Sequence, residues 1–216
     1  MPLTLYYLEM SPAVRSTLLT IKALGLDVEM KPVNLMAREH MTPEYLKMNP
    51  LHTVPTLKDG DFVVFDSHAI NAYLVDKYGK DDSLYPKDLQ KRATVNQTMF
   101  FNCCDLFPSI GAIVGSILKE NAKTVSKDKA ANVTQGYQKL ESLLEQSTYV
   151  AGPHVTIADF AIVSTISSSN ALVPIASNRY PRITEWLSKM QALPYYHEGN
   201  DKGLNTFVTV MKSKLG

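Results

Sequence analysis

Cysteine is nearly missing from this chain: its 216 residues hold two, Cys103 and Cys104, side by side. Neighbours on one helix point in different directions, so no disulfide framework is available, and the pair reads as the reduced thiols of an intracellular protein. Net charge is missing as well. The 22 basic and 21 acidic residues leave +1, which gives no electrostatic reason to expect nucleic acid or an anionic membrane as a partner. The opening Met1-Pro2-Leu3-Thr4 lacks the basic and apolar regions of a signal peptide. No apolar run approaches the length of a membrane span, and there is no internal repeat or low-complexity tract. His40 and His52 have no carboxylate or cysteine companions at metal-ligand spacing, so no metal site is expected.

What is present is enough apolar residue, 45% of the chain, to bury a sizeable core. The first eighty residues alternate between strand and helix signals. Residues 3–8 read as a strand. Ser11-Pro12 then offers an N-cap and a first-turn proline, and Val14, Leu18, Ile21 and Gly25 share one helix face. Residues 28–35 read as a second, parallel strand. Residues 54–58 and 62–65 form a hairpin about Asp59-Gly60, and Asp66-Ser67 opens another helix that ends before Gly79. The order β-α-β, irregular stretch, β-β-α fits an α/β thioredoxin-like domain over residues 1–80. A polar, turn-rich linker covers 81–90. Beyond it the strand signals stop, and helices are expected over about 91–121, 126–146, 157–172, 182–192 and 200–214, an all-helical domain spanning 91–216.

Four local patterns carry chemistry. Ser11-Pro12-Ala13-Val14-Arg15 stands where a thioredoxin-like redox protein would place Cys-x-x-Cys, so disulfide exchange is not available. Ser11 either caps the helix or offers its hydroxyl, at a helix N-terminus, to a bound anion such as a thiolate. Val54-Pro55, entering a strand, is either a cis turn that frees backbone groups for a ligand or a trans proline at a sheet edge. Asp66-Ser67-His68 opens a helix. Its carboxylate and hydroxyl would suit the ammonium and carboxylate of an amino-acid zwitterion, or simply cap. His40 and His52 could grip a carboxylate, or be surface histidines. Separately, Thr156-Ile157-Ala158-Asp159 reads as a capping box that serves folding.

In order and spacing, Ser11-Pro-Ala-Val-Arg15, Asn49-Pro-Leu-His-Thr-Val-Pro-Thr-Leu57, Asp66-Ser-His-Ala-Ile70 and Thr156-Ile-Ala-Asp-Phe160 resemble the cytosolic glutathione S-transferases over essentially the whole chain. The likeness is to the insect delta/epsilon group, with the Asp-Ser-His-Ala-Ile run leaning toward epsilon. It implies a cytoplasmic, detoxifying homodimer that uses glutathione as co-substrate and joins it to a small hydrophobic electrophile, with no metal, nucleic acid or membrane involved. Ser11 would be the catalytic hydroxyl. His40 and His52 would hold the glycyl carboxylate, Val54 the cysteinyl backbone next to a cis Pro55, and Asp66, Ser67 and His68 the γ-glutamyl end. Two departures stand out: Ala13 replaces the usual second proline, and Asp66 replaces a usual glutamate. Peroxidase, dehydrohalogenase or isomerase chemistry on the same site, or non-catalytic carriage of hydrophobic ligands, are the other functions such a chain could have.

The electrophile is expected over the helical half. Phe107, Ile110, Gly111, Ile113 and Val114 fall near one face of the first long helix, and Phe207, Val208 and Met211 of the last helix could form a lid. Gly111 and Gly115 each cost helix stability, for which either close helix packing or room for a ligand would account. Cys103 and Cys104 are expected to stand away from the chemistry.

Overall fold

The computed structural model describes residues 3–216; Met1 and Pro2, where the leader-free start was read, lie outside the described residues. Strand β1 (Leu3–Tyr7) runs into helix α1 (Pro12–Leu24), which returns to β2 (Val28–Pro32) parallel to β1. β3 (Thr56–Asp59) pairs antiparallel with β1, and β4 (Phe62–Phe65) with β3, giving the sheet order β2-β1-β3-β4. Side chains alternate across β1. Leu3 and Leu5 point to the face covered by α1 and by α3 (Ser67–Tyr78), where they join Val14, Leu18, Leu57 and Ile70 in one core. Tyr6 faces the other way and meets the ring of Tyr45 edge-on at 6.0 Å. Helix α1 stops where Gly25 turns left-handed at φ 64, with Leu26 N–H returned to the Ile21 carbonyl, a closure that glycine makes without steric cost.

The stretch expected to be irregular contains helix α2 (Pro43–Met48), which carries Tyr45 and is capped by Thr42, whose hydroxyl accepts from Tyr45 N–H. The second strand ends three residues short of expectation, because Asn34 begins a turn by accepting Ala37 N–H at 3.0 Å. The hairpin is held to α3 through Asp59. One of its carboxylate oxygens accepts from Tyr73, Lys77 and Tyr78, each at 2.6 Å.

The helical domain opens with α4 (Leu89–Phe101) and α5 (Phe107–Leu118), joined by a π-helical turn over Asn102–Leu106. One unbroken helix was expected here. Pro108 has no N–H and its ring crowds the preceding turn; the extra residue of a π turn, in which Phe107 N–H reaches Asn102 C=O, takes up that crowding. Contrary to the sequence reading, this 30-residue rod is long and apolar enough, by length and composition, to span a bilayer. Its Val95, Met99, Leu106, Ile110, Ile113 and Ile117 are instead packed into the helical core.

Around the rod lie α6 (Lys127–Leu143), α7 (Ile157–Leu172), α8 (Pro181–Gln191) and α9 (Lys202–Lys214), the last entered through a second π turn at His197–Asp201. Helix α7 is buried along most of its length, and the Thr156–Asp159 capping box is present at its start. Asp159 also accepts Val150 N–H and Trp186 Nε1–H, so the cap ties α7 to α8. α1 packs along α7, and the guanidinium of Arg15, fully buried, crosses that seam to the Ser164 carbonyl and to Ser167, Ser168 and Asn200.

Candidate active site

Ser11 precedes α1 with an extended backbone (φ −68, ψ 127), the geometry of an N-cap, yet its side chain makes no capping hydrogen bond. The α1 helix therefore leaves this hydroxyl uncommitted. Two cavities meet at the start of that helix, sharing Pro12 and Phe107 as a common wall.

The first cavity, about 280 Å³, brings together Val54, Pro55, Asp66, Ser67 and His68 from the sequence-derived set. The Val54–Pro55 bond is cis, and Val54 lies just outside strand β3. Asp66 has φ 74, and its Oδ1 accepts the N–H groups of His68 and Ala69. It thus caps α3 while its other oxygen stays open, and its exposed carboxyl is held below its usual value first by the hydrogen bond from His68. Ser67 is buried at the first position of α3, where backbone N–H groups have no intrahelical acceptor. A carboxylate oxygen beside a hydroxyl and helix N–H groups can receive an ammonium and a carboxylate together.

His40 and His52 do not line either cavity. Their rings stand 6.1 Å apart, and His52 falls between the lining residues Leu51 and Thr53. His52 takes φ 47 and Arg38, two residues before His40, takes φ 61. His40 Nδ1 is buried without a partner. Burial, then the neighbouring His52 and Arg38, push the His40 imidazole below its ordinary value.

Several lining residues escaped the sequence reading, among them Ser16, Thr53, Phe65, Ser164 and Thr165, and two carry chemistry of their own. Asn102, in the π turn, is buried. Its Nδ2 lies 3.2 Å from His68 Nε2, and its Oδ1 has no hydrogen-bond partner. Cys103 lines the same cavity, so it does not stand apart from the site as expected; the π turn rotates it toward α3. Neither residue type nor spacing signals this placement.

The second cavity, about 530 Å³, is walled by Phe107, Ile110, Gly111, Val114 and Phe207, as expected, and Ser11 opens onto it. Met211 was expected there and is not. It is fully buried in the helical core, because the stripe of α9 that faces the cavity runs through Phe207, Val210 and Lys214 and Met211 lies one helical step to the side. Ile113 and Val208 likewise pack into the core. An added Cβ would meet nothing within 4 Å at Gly111 or at Gly115. Close packing therefore explains neither glycine, and Gly111 widens the cavity. The wall also includes Leu8, Met10, Leu35, Met36 and Leu118.

The match to known families decides what the site belongs to. Residues 1–76 match the family model for the glutathione S-transferase N-terminal domain, and residues 98–194 that for its C-terminal domain. The chain belongs to the glutathione S-transferase family. Glutathione S-transferase 1 of Manduca sexta is 42% identical over 217 residues, the full length of both chains. An epsilon-class glutathione S-transferase from the housefly Musca domestica shares the fold with a TM-score of 0.96 and 47% identity over 98% of each chain. A glutathione transferase homologue from Drosophila mojavensis, solved with bound glutathione, matches at TM-score 0.96 and 45% identity, covering 99% of this transferase and 98% of that chain. The fold is that of the family, a thioredoxin-like domain followed by a helical one, and the activity is glutathione transfer.

Proposed function

We propose that this transferase holds glutathione in the 280 Å³ cavity and places its thiol beside Ser11, whose hydroxyl donates to the thiolate. Asp66 and Ser67 receive the γ-glutamyl ammonium and carboxylate, with His68 at the same end. Val54 pairs with the cysteinyl backbone next to Pro55, and His40 and His52 hold the glycyl carboxylate. Residues 1–80 form the glutathione half, 91–216 the electrophile half, and 81–90 join them. The electrophile, an apolar small molecule, enters the 530 Å³ cavity, and the thiolate adds to it or displaces a leaving group. The protein works as a homodimer in the cytoplasm, in keeping with its two unbridged cysteines, and needs no metal.

The energetics suit a hydroxyl acting without a general base. A free thiol titrates near 8.5, and lowering it by about 2 units requires about 2.7 kcal/mol. A hydrogen bond to a charged group supplies roughly 1.5–3 kcal/mol, and a helix N-terminus about 0.3–1 kcal/mol. The observation that carries this reading is the uncommitted Ser11 hydroxyl, which opens onto the 530 Å³ cavity next to Pro12, a wall of both cavities.

The test is retention on immobilised glutathione followed by conjugation of an activated aryl halide, in the parent and in Ser11→Ala. The variant should retain glutathione, lose at least about tenfold in turnover at neutral pH, and partly recover at alkaline pH. A folded variant whose pH–rate profile matches the parent refutes the role of Ser11.

A further inference from the structure

The turn that carries Val54 is held from behind by a small polar cluster with no part in the function proposed above. Asn49 and Thr56 are fully buried and Tyr45 nearly so. Tyr45, on α2, rests its ring edge-on against Tyr6 of β1 and donates its hydroxyl to the Thr53 carbonyl at 2.7 Å. The Asn49 amide nitrogen lies 3.1 Å from the same carbonyl oxygen, and the Thr56 hydroxyl 3.1 Å from it. Thr56 Oγ1 also links the other two side chains, 3.1 Å from Tyr45 Oη and 2.9 Å from Asn49 Nδ2. Thr56 stands opposite Tyr6 in the register of β1 and β3, so the cluster is anchored to the sheet.

One donor satisfies a buried carbonyl. Donors from α2, from its C-cap Asn49 and from β3 converge on one oxygen here, and together they fix its direction. The Thr53–Val54 peptide is trans, hence planar, with its C=O and N–H on opposite sides. With the Thr53 carbonyl turned into the cluster, the Val54 N–H is turned away from it. Among the described residues no backbone carbonyl accepts that N–H, and Val54 is part of the wall of the 280 Å³ cavity.

We infer that Tyr45, Asn49 and Thr56 are positioning residues for glutathione, aiming the Val54 N–H at the carbonyl of the cysteinyl residue. An unclamped peptide would have to be ordered each time the ligand binds, at a cost in conformational entropy. The clamp removes that cost before the ligand arrives, and it fixes the backbone of the residue whose sulfur must reach Ser11. This inference rests on the function proposed above and deepens one of its contacts.

The experiment compares glutathione with an analogue in which an (E)-alkene replaces the cysteinyl–glycine peptide. The analogue keeps the extended shape and loses the accepting carbonyl; the glycyl N–H is lost as well, equally for every protein tested. Dissociation constants are read by titration calorimetry. The parent should prefer glutathione by about fivefold, the size of one neutral hydrogen bond. Tyr45→Phe and Thr56→Val each remove one hydroxyl with little change of shape. Each should weaken glutathione by about threefold and leave the affinity of the analogue in place, so the preference falls below about twofold. Tyr73→Phe removes a hydroxyl that donates to Asp59 in the same domain; it controls for a general loss of stability and should keep the full preference. A merely structural role would weaken both ligands alike and preserve the ratio. Folded Tyr45→Phe and Thr56→Val proteins that retain the ratio of the parent overturn the inference and leave the transferase reading standing. A parent that binds both ligands equally overturns the pairing of Val54 with glutathione along with it.

Discussion

His68 and Asn102 meet across the two domains, imidazole Nε2 to amide Nδ2 at 3.2 Å. The amide nitrogen can only donate, so Nε2 accepts and the ring proton sits on Nδ1, 3.2 Å from Asp66 Oδ1. A residue of the helical half thereby orients the carboxylate assigned to the γ-glutamyl ammonium, and Asn102, whose buried Oδ1 has no partner, is itself part of the wall of the 280 Å³ cavity. Asn102→Ala should weaken glutathione binding by roughly 1–2 kcal/mol and leave KM for the electrophile in place. Titration calorimetry with glutathione checks this; unchanged affinity would mean that the contact does not serve the ligand.

Ser11→Ala should barely alter stability. A capping serine typically contributes about 0.5–2 kcal/mol, but this one makes no capping bond. A thermal melt of the variant should overlay the parent, and a large drop would return Ser11 to a purely helical role.

Cys103 should be chemically coupled to ligand occupancy. It lines the 280 Å³ cavity, whereas Cys104 does not. Partial burial, the neighbouring Cys104 and the Asp66 carboxylate push its thiol above the ordinary value, so alkylation should be slow at neutral pH and accelerate as pH rises. Bound glutathione should protect Cys103 and spare Cys104 no labelling, as read by peptide mass mapping.

Asp59 should stabilise the fold at neutral pH. Despite the cost of burial, hydrogen bonds from Lys77, Tyr73 and Tyr78 bring its carboxyl down to about 2 from an ordinary 3.8. The native state therefore favours the ionised form, and the benefit is present above about 4 and lost as pH falls toward 2. Asp59→Asn should melt lower than the parent at pH 7, with the difference closing over that acid window. A difference that does not depend on pH would contradict the assignment.

Asp159 has the opposite sign. Full burial pushes its carboxyl up to about 6, against the pull of four donors. Between about 4 and 6 the native state binds more proton than the unfolded chain, so this group's contribution to stability falls as pH rises through that range. Asp159→Asn removes the titration and leaves donors unpaired, costing roughly 2–4 kcal/mol. The gap to the parent should narrow from pH 4 to pH 6 by about 2 kcal/mol. Urea titrations at both pH values measure it.

Local chemistry made most of the fold legible. Ser11-Pro12, Asp66 and the Thr156–Asp159 box announce their helix ends, because caps act within a turn of the residue that makes them; Gly25, expected on the face of α1, is instead its left-handed terminus. Even α2 had a signal in Thr42-Pro43-Glu44, a cap, a first-turn proline and a first-turn acid, though six residues are too few for hydrophobic periodicity to show. The interior of the rod was not legible. The π turn that Pro108 favours shifts the facing of Asn102 and Cys103, and periodicity does not register one inserted residue. Met211 failed for a related reason. An apolar residue on a two-sided helix satisfies the pattern whether it faces core or cavity, and only the packing of α9 decides.

The seam that Arg15 crosses has a consequence for protein engineering. Helix α1 carries Ser11 at its start, and one turn later the buried guanidinium takes its acceptors from Ser164, Ser167, Ser168 and Asn200. A chimera that grafts a foreign helical half onto this sheet must supply those acceptors, or it strands a cation in an apolar interface. Swapping halves among relatives to recombine substrate preferences thus has a compatibility rule written in four oxygens. Grafts that honour it keep the nucleophile registered against the borrowed pocket.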